Sequence, residues 1–331
     1  MKRPSSSCPD CEAVDRREFL KSAAGAAALG VVGSAFWTLP GAFAAPSPTS
    51  AAETAVGRFF NSLSSDQKKT ICFGFGDPLR QKVNANWHIT KPTIGNDFYT
   101  KEQRQLIDEI VRNVTSKDGY DRLKKQMEFD SGGIQDYSIA VFGEPGTSAF
   151  EWELTGRHLT LRADGNSVDK AAFGGPIVYG HGEENPKENL FQYQTQQVNE
   201  VFKALDANQS KQALVEKAPK EDAVALQGES GKFAGIGVSN LSADQKQLVT
   251  KTLQVLLAPY RQEDADEAME IVKSTGGIDK LHMAFYQQGD LGNDKVWDIW
   301  RVEGPSFVWH FRGAPHVHAY INIGVAAPAK S

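Results

Sequence analysis

Ser64-Ser65-Asp66-Gln67 and Thr100-Lys101-Glu102-Gln103 are answered later in the chain by Asp206-Ala207-Asn208-Gln209 and Ser242-Ala243-Asp244-Gln245. Each quartet places a side chain that can accept a helix N–H three positions before a glutamine that can reach back. That pairing is the capping box, a local signal for the start of a helix. The glutamines stand 36 residues apart in both pairs, at 67 and 103 and again at 209 and 245. Four helix starts with matched spacing predict two copies of one unit.

The flanking sequence repeats with them. Phe60-x-x-Leu63 precedes the first box and Phe202-x-x-Leu205 the third. Leu106, Ile107, Ile110, Val111 and Val114 trace one helical face after the second box, as Leu248, Val249, Leu253 and Leu256 do after the fourth. Gly132-Gly133-Ile134 and Gly276-Gly277-Ile278 then offer glycines suited to ending a helix. Strand patterns follow in each copy: Tyr137 to Phe142 and Leu281 to Tyr286, then Trp152 to Gly156 and Trp300 to Gly304. Beyond the turns, Leu159 and Leu161, like Phe307, Trp309 and Phe311, alternate with other residues, which buries one face of a sheet. The reading is an α+β fold made by tandem duplication, each half helices followed by a short antiparallel sheet, related by a pseudo-twofold. The halves are expected at 53–170 and 197–326, with a linker at 45–52 and a crossover loop at 171–196 that carries Gly174-Gly175-Pro176 and Gly182-Glu183-Glu184.

Residues 1–44 read as an export signal. Arg16-Arg17 followed by Phe19-Leu20-Lys21 precedes an Ala/Gly-rich apolar stretch ending at Pro40, and Ala42-Phe43-Ala44 supplies a small-x-small cleavage site. The paired arginine marks an address rather than an anchor, and the stretch is shorter than a bilayer span requires. The expected partners of the precursor are therefore the twin-arginine machinery and a signal peptidase, and the expected destination is the periplasm or the medium. After cleavage Cys72 stands without another cysteine, because Cys8 and Cys11 leave with the leader; no intramolecular disulfide is expected despite an oxidising destination. The formal net charge of −5 and the lack of a Lys/Arg run exclude an electrostatic footprint for nucleic acid.

With the repeat laid out, several short stretches act together: Asn86-Trp87-His88, Phe142-Gly143-Glu144-Pro145, Trp152, Gly156-Arg157-His158-Leu159-Thr160-Leu161, Gly304-Pro305-Ser306-Phe307 and His316-Val317-His318. In this order the chain resembles the domain of unknown function 3500 family over essentially its whole mature length. It departs from the family pattern at Arg157-His158, where His-His is usual, and at Ala319-Tyr320-Ile321-Asn322, where Trp-Arg-Asp often follows. The resemblance implies a fold and a choice of candidate residues, and brings no reaction with it.

Sequence-readable catalytic signatures are missing. The chain has no G-x-S-x-G, no H-E-x-x-H, and neither of the glycine-rich phosphate loops, so no nucleotide cofactor is expected. Histidine carries the chemistry that remains. His316 and His318 form His-x-His, and a strand would aim both rings to one face, a half-site for Zn, Cu or Mn. His88 and His158 lie in recognisable motifs of the other half, so one transition-metal ion shared by His88, His158, His316 and His318 is the candidate site. The bland reading of His316 and His318 is a surface turn after Pro315. His181 reads as a loop residue, His282 and His310 as structural. Glu151 and Glu153 flank Trp152, the arrangement of a glycosidase pair, yet Ile299 and Arg301 stand at the matching places. A solvated strand face is the better reading of that pair. Arg80, Arg157 and Arg162 would suit an anionic substrate if they gathered near His158. Two functions remain: a metal-dependent hydrolase working between the halves, or a non-enzymatic periplasmic module that binds a small-molecule ligand or a partner.

Overall fold

A computed structural model describes residues 45–325 apart from Asp169. The export signal with Arg16-Arg17 and the Cys8/Cys11 pair lies outside the described residues. In chain order the elements are α1 (Ala51–Ser62), α2 (Ser65–Ile71), β1 (Cys72–Phe73), α3 (Lys101–Asn113), α4 (Lys117–Ser131), β2 (Ser138–Gly143), β3 (Phe150–Gly156), β4 (Leu159–Ala163) and β5 (Ile177–His181). They continue as α5 (Gln192–Lys203), α6 (Ala207–Ala213), β6 (Leu214–Val215), β7 (Ile236–Gly237), α7 (Ala243–Leu257), α8 (Gln262–Ser274), β8 (His282–Tyr286), β9 (Ile299–Gly304), β10 (Phe307–Arg312) and β11 (Val317–Ile323).

All four capping boxes form, at the starts of α2, α3, α6 and α7. Their glutamines also explain the 36-residue spacing. Gln67 Nε2 donates to Gln103 Oε1 at 2.8 Å, and Gln245 Nε2 donates to Gln209 Oε1 at the same distance. Each pair of helix starts is thus stitched side by side by the residues that cap it. Gln103 also donates to the Ser62 carbonyl and Gln245 to the Ala204 carbonyl, so the spare amide protons satisfy the ends of the preceding helices.

The strands join one mixed sheet, in the order β1-β2-β3-β4-β5-β11-β10-β9-β8-β6, with β7 on β8. Two separate short antiparallel sheets were the expectation; instead β5 and β11 pair antiparallel in the middle and make one sheet. The pairs β1–β2 and β6–β8 at the two ends are parallel. The segment 171–196, expected as a crossover loop, carries β5 and the first turn of α5. Its glycines hide the β-rich run Ile177-Val178-Tyr179, which has strand chemistry but little length.

One face of the sheet packs against the helices. Tyr137, Ile139, Val141, Trp152, Leu154, Leu161, Trp300, Val302, Trp309 and Ile321 are all buried there in one apolar cluster with residues of α1, α3, α5 and α7. Trp152, Trp300 and Trp309 are core, and so is Trp297 just before β9. The first and last helices are tied by an ion pair: Arg261 donates to both carboxylate oxygens of Glu53, at 2.9 and 2.8 Å, and to Asp264.

The opposite face is covered by two irregular segments, 74–100 and 216–235, and it mixes buried polar residues with small apolar clusters. Glu151 and Glu153 lie on it wholly buried, against the expectation of a solvated strand face. The reason is Arg162 on the neighbouring β4, whose guanidinium binds both carboxylates, while Arg80 from the covering segment binds Glu151 at 2.9 Å. Burial pushes the Glu153 carboxyl well above the usual range, although Arg162 opposes it. Arg80 and Arg162 are therefore engaged with buried carboxylates and do not join His158.

His310 also lies on this face, 1% exposed, and burial with the neighbouring Arg301 charge pushes its pKa down to about 3. Its ordinary pKa governs the unfolded chain, so the unfolded state takes up the proton first as pH falls. Its contribution is complete above about pH 6.5 and declines toward pH 3, with a slope of at most about 1.4 kcal/mol per pH unit. Asp164, Asp264 and Asp298, raised by burial to about 6, 7 and 7, titrate in the same window with the opposite sign. The difference between wild type and His310→Gln isolates the histidine. Urea unfolding at several pH values should show the wild type losing stability relative to the variant between pH 6.5 and 4; parallel profiles would refute the assignment.

Candidate metal centre

The site is built where β5 and β11 meet. His318 is the second residue of β11, paired with Gly180 on one side and Arg312 of β10 on the other. His316 immediately precedes the strand, and its Nε2 lies 3.0 Å from Nε2 of His318. Two nitrogens on one tetrahedral ion with bonds near 2.1 Å would stand about 3.4 Å apart, so the separation suits a shared ligand sphere.

His158 arrives from the first half of the chain, in the Arg157-His158 turn that joins β3 to β4. Its φ of 57° is unusual for a side-chain-bearing residue and costs on the order of 1–2 kcal/mol. The turn is held from several sides: His158 N–H donates to the Ala85 carbonyl at 2.6 Å, and the Arg157 carbonyl accepts from Tyr137 Oη and Gln126 Nε2. Gly180 makes room for the ring. A Cβ there would sit 2.3 Å from the Val317 carbonyl oxygen and 3.2 Å from His158 Cβ. The result is three imidazoles with centroids 4.8 to 5.1 Å apart, and one ligand nitrogen from each falls within 4.8 Å of the others.

Two rings carry carboxylate partners on their other nitrogen. Asp130 Oδ2 lies 2.9 Å from His158 Nδ1, and Glu221 Oε1 lies 3.1 Å from His318 Nδ1. Such partners fix the ring and its tautomer and leave Nε2 for a metal. Asp130 is itself held by Gln126 Nε2 at 2.7 Å and by the Gly182 N–H at 2.9 Å. Burial alone would raise the Asp130 carboxyl, but His158 and these donors outweigh it and hold it below the usual range. Burial, followed by the charges of neighbouring rings and of Arg312, pushes His316 and His318 far below the usual imidazole range. Both are neutral near neutral pH, the form in which imidazole binds metal.

His88 is not in this group. Trp87 and Ile89 on either side pack with Ala140 and Phe142 on the sheet, so period-2 alternation turns His88 outward, and it is exposed. His181, expected in a loop, closes β5 and is 4% exposed beneath Phe129, its Nδ1 accepting the Leu190 N–H.

A family model described as a protein of unknown function, DUF3500, matches residues 45–323. The chain belongs to this DUF3500 family. No curated protein and no solved structure matches it. The family match spans β11 and both covering segments, so all three histidines and both carboxylates lie within the DUF3500 region. Asp130 and Glu221 are the parts of this DUF3500 site that sequence reasoning missed. Asp130 left a trace: a carboxylate in the last turn of α4 opposes the helix dipole and needs another partner. Glu221 sits in a charged irregular stretch and left none.

Proposed function

We propose that the chain is an exported, metal-dependent hydrolase whose single transition-metal ion is held by His158, His316 and His318. The observation that carries this reading is the convergence of three buried imidazoles, two of them backed by carboxylates. Zinc fits best, since three neutral imidazoles with an open fourth position are a common catalytic set for it; copper and manganese remain weaker fits. When bound, such an ion brings the pKa of water toward neutrality and polarises a carbonyl or phosphoryl oxygen. The protein's own part is to orient the rings through Asp130 and Glu221 and to keep the site shielded.

The duplication reading supports the placement: the sheet order is the same read from either end, and the first half supplies His158 while the second supplies His316 and His318. Export rests on the sequence of residues 1–44. Among the described residues no helix is long and apolar enough to cross a membrane.

The test is elemental analysis of the purified mature protein, followed by hydrolysis of p-nitrophenyl acetate and p-nitrophenyl phosphate. About one ion per chain is expected, with turnover lost on chelation and regained with the metal. Glu221→Gln should weaken the metal about 10- to 100-fold, because the His318 Nδ1–H then meets a neutral acceptor in place of a carboxylate. Metal without turnover of any substrate would favour the binding module, and a metal-free protein that takes none up would end the proposal.

A further inference from the structure

Two guanidinium groups border the three histidines without being used up by carboxylates. Arg312 is the cross-strand partner of His318, so both side chains share the loop-covered face with Cβ atoms about 4.5–5.5 Å apart. Its Nε lies 2.9 Å from Glu221, while its Nη2 is buried without a hydrogen-bond partner. Arg157 precedes His158 in the tight turn. A Cβ built on Gly182 would meet His158 Cε1 at 3.3 Å and Arg157 Nη2 at 3.7 Å, which places this guanidinium beside the ring. Its Nε is buried and also lacks a partner, and among the described residues it forms no ion pair.

Buried guanidinium donors are costly to leave unmatched. The local charge makes the same point. Asp130 and Glu221 are the carboxylates that face Arg157 and Arg312 here, and a divalent ion binds imidazoles in their neutral form, so adding the ion would leave the site at about two positive charges. Something anionic is needed to complete it.

We propose that this site takes an oxyanion, a carboxylate or phosphate group, which Arg312 and Arg157 hold against the three-histidine set. The guanidinium fork matches the planar or tetrahedral oxygens of such groups, and an ammonium would not span two of them. The proposal rests on the metal reading above and names the substrate class for it.

The test uses the mature protein loaded with cobalt(II), whose visible absorption reports its ligands. Inorganic phosphate and acetate are titrated separately, and the tighter of the two identifies the anion class. At least one should shift the spectrum saturably in the wild type. Arg157→Gln and Arg312→Gln should each bind that anion about 10- to 100-fold more weakly, as expected for one lost charge-assisted hydrogen bond. Arg312→Lys should recover part of the loss by keeping the charge. Arg157→Gln is the cleaner variant, because Arg312 also touches Glu221; circular dichroism and cobalt content verify that each variant is folded and loaded. Equal anion affinity in wild type and Arg157→Gln would overturn the proposal, as would a cobalt spectrum that neither anion disturbs. Failure of the wild type to take up cobalt at all would instead strike the metal reading itself.

Discussion

Replacing His316 and His318 together by alanine is expected to lower the metal content of the purified protein from about one ion per chain to under roughly a tenth, because one imidazole cannot hold the ion against buffer. The geometry makes this the sharpest test. Their Nε2 atoms are 3.0 Å apart, so the double change removes two neighbouring ligands at once. His158 alone keeps its bond to Asp130 and its place in the β3–β4 turn. The fold should survive, since both rings lie on the loop-covered face and outside the main apolar cluster. Elemental analysis before and after dialysis against a mild chelator measures the effect, and a thermal melt confirms folding. A folded double variant with its full complement of metal would remove the site. His88→Ala serves as the matched control: that residue is exposed and outside the group, so its metal content should be that of the wild type.

Arg162→Met should cost about 3–5 kcal/mol of stability, the usual penalty for stranding buried charge by removing its partner. Arg162 is 3% exposed and binds Glu151 and Glu153, which are both wholly buried. It also donates to the carbonyls of Pro176 and Arg80, so its loss loosens the covering segment as well as the strands. Glu153, already raised by burial, can take up a proton, leaving Glu151 with Arg80 as its remaining partner. Urea unfolding at pH 7 gives the number. Adding Glu151→Gln and Glu153→Gln to Arg162→Met should recover a large part of the loss, since no charge is then stranded. A single variant within 1 kcal/mol of wild type would mean that the buried ions contribute little.

Local chemistry made much of this molecule readable. A capping box acts within four residues, so Ser64, Thr100, Asp206 and Ser242 announced their helices without reference to anything distant. Alternation along β4 and β10 likewise told which residues face the helices, because the pleat has a period of two wherever a strand forms. The bond from Gln67 to Gln103 was not readable from the repeated spacing, because it forms only when the two helix starts pack side by side.

The site was legible in part. His-x-His put two imidazoles together through local geometry alone, and the His158 motif nominated the third. Whether His88 or His158 would reach them depended on which way each residue turns within its own segment, and Trp87 and Ile89 decided that by packing on the sheet. The fate of Glu151 and Glu153 was equally non-local. Alternation shows that both side chains share a face, but not whether that face meets water or a covering segment bearing Arg80.

The sequence by itself determined where four of the helices begin, which strand residues are apolar, and that two histidines stand one residue apart. The tertiary structure decided that β5 pairs with β11, that Gly180 leaves space for His158, and that Asp130 and Glu221 back the rings. The division follows the range of the forces. Capping and pleating are settled by bonds between near neighbours, whereas a site assembled across β3–β4, α4, the 216–235 segment and β11 exists only once burial has brought those segments together.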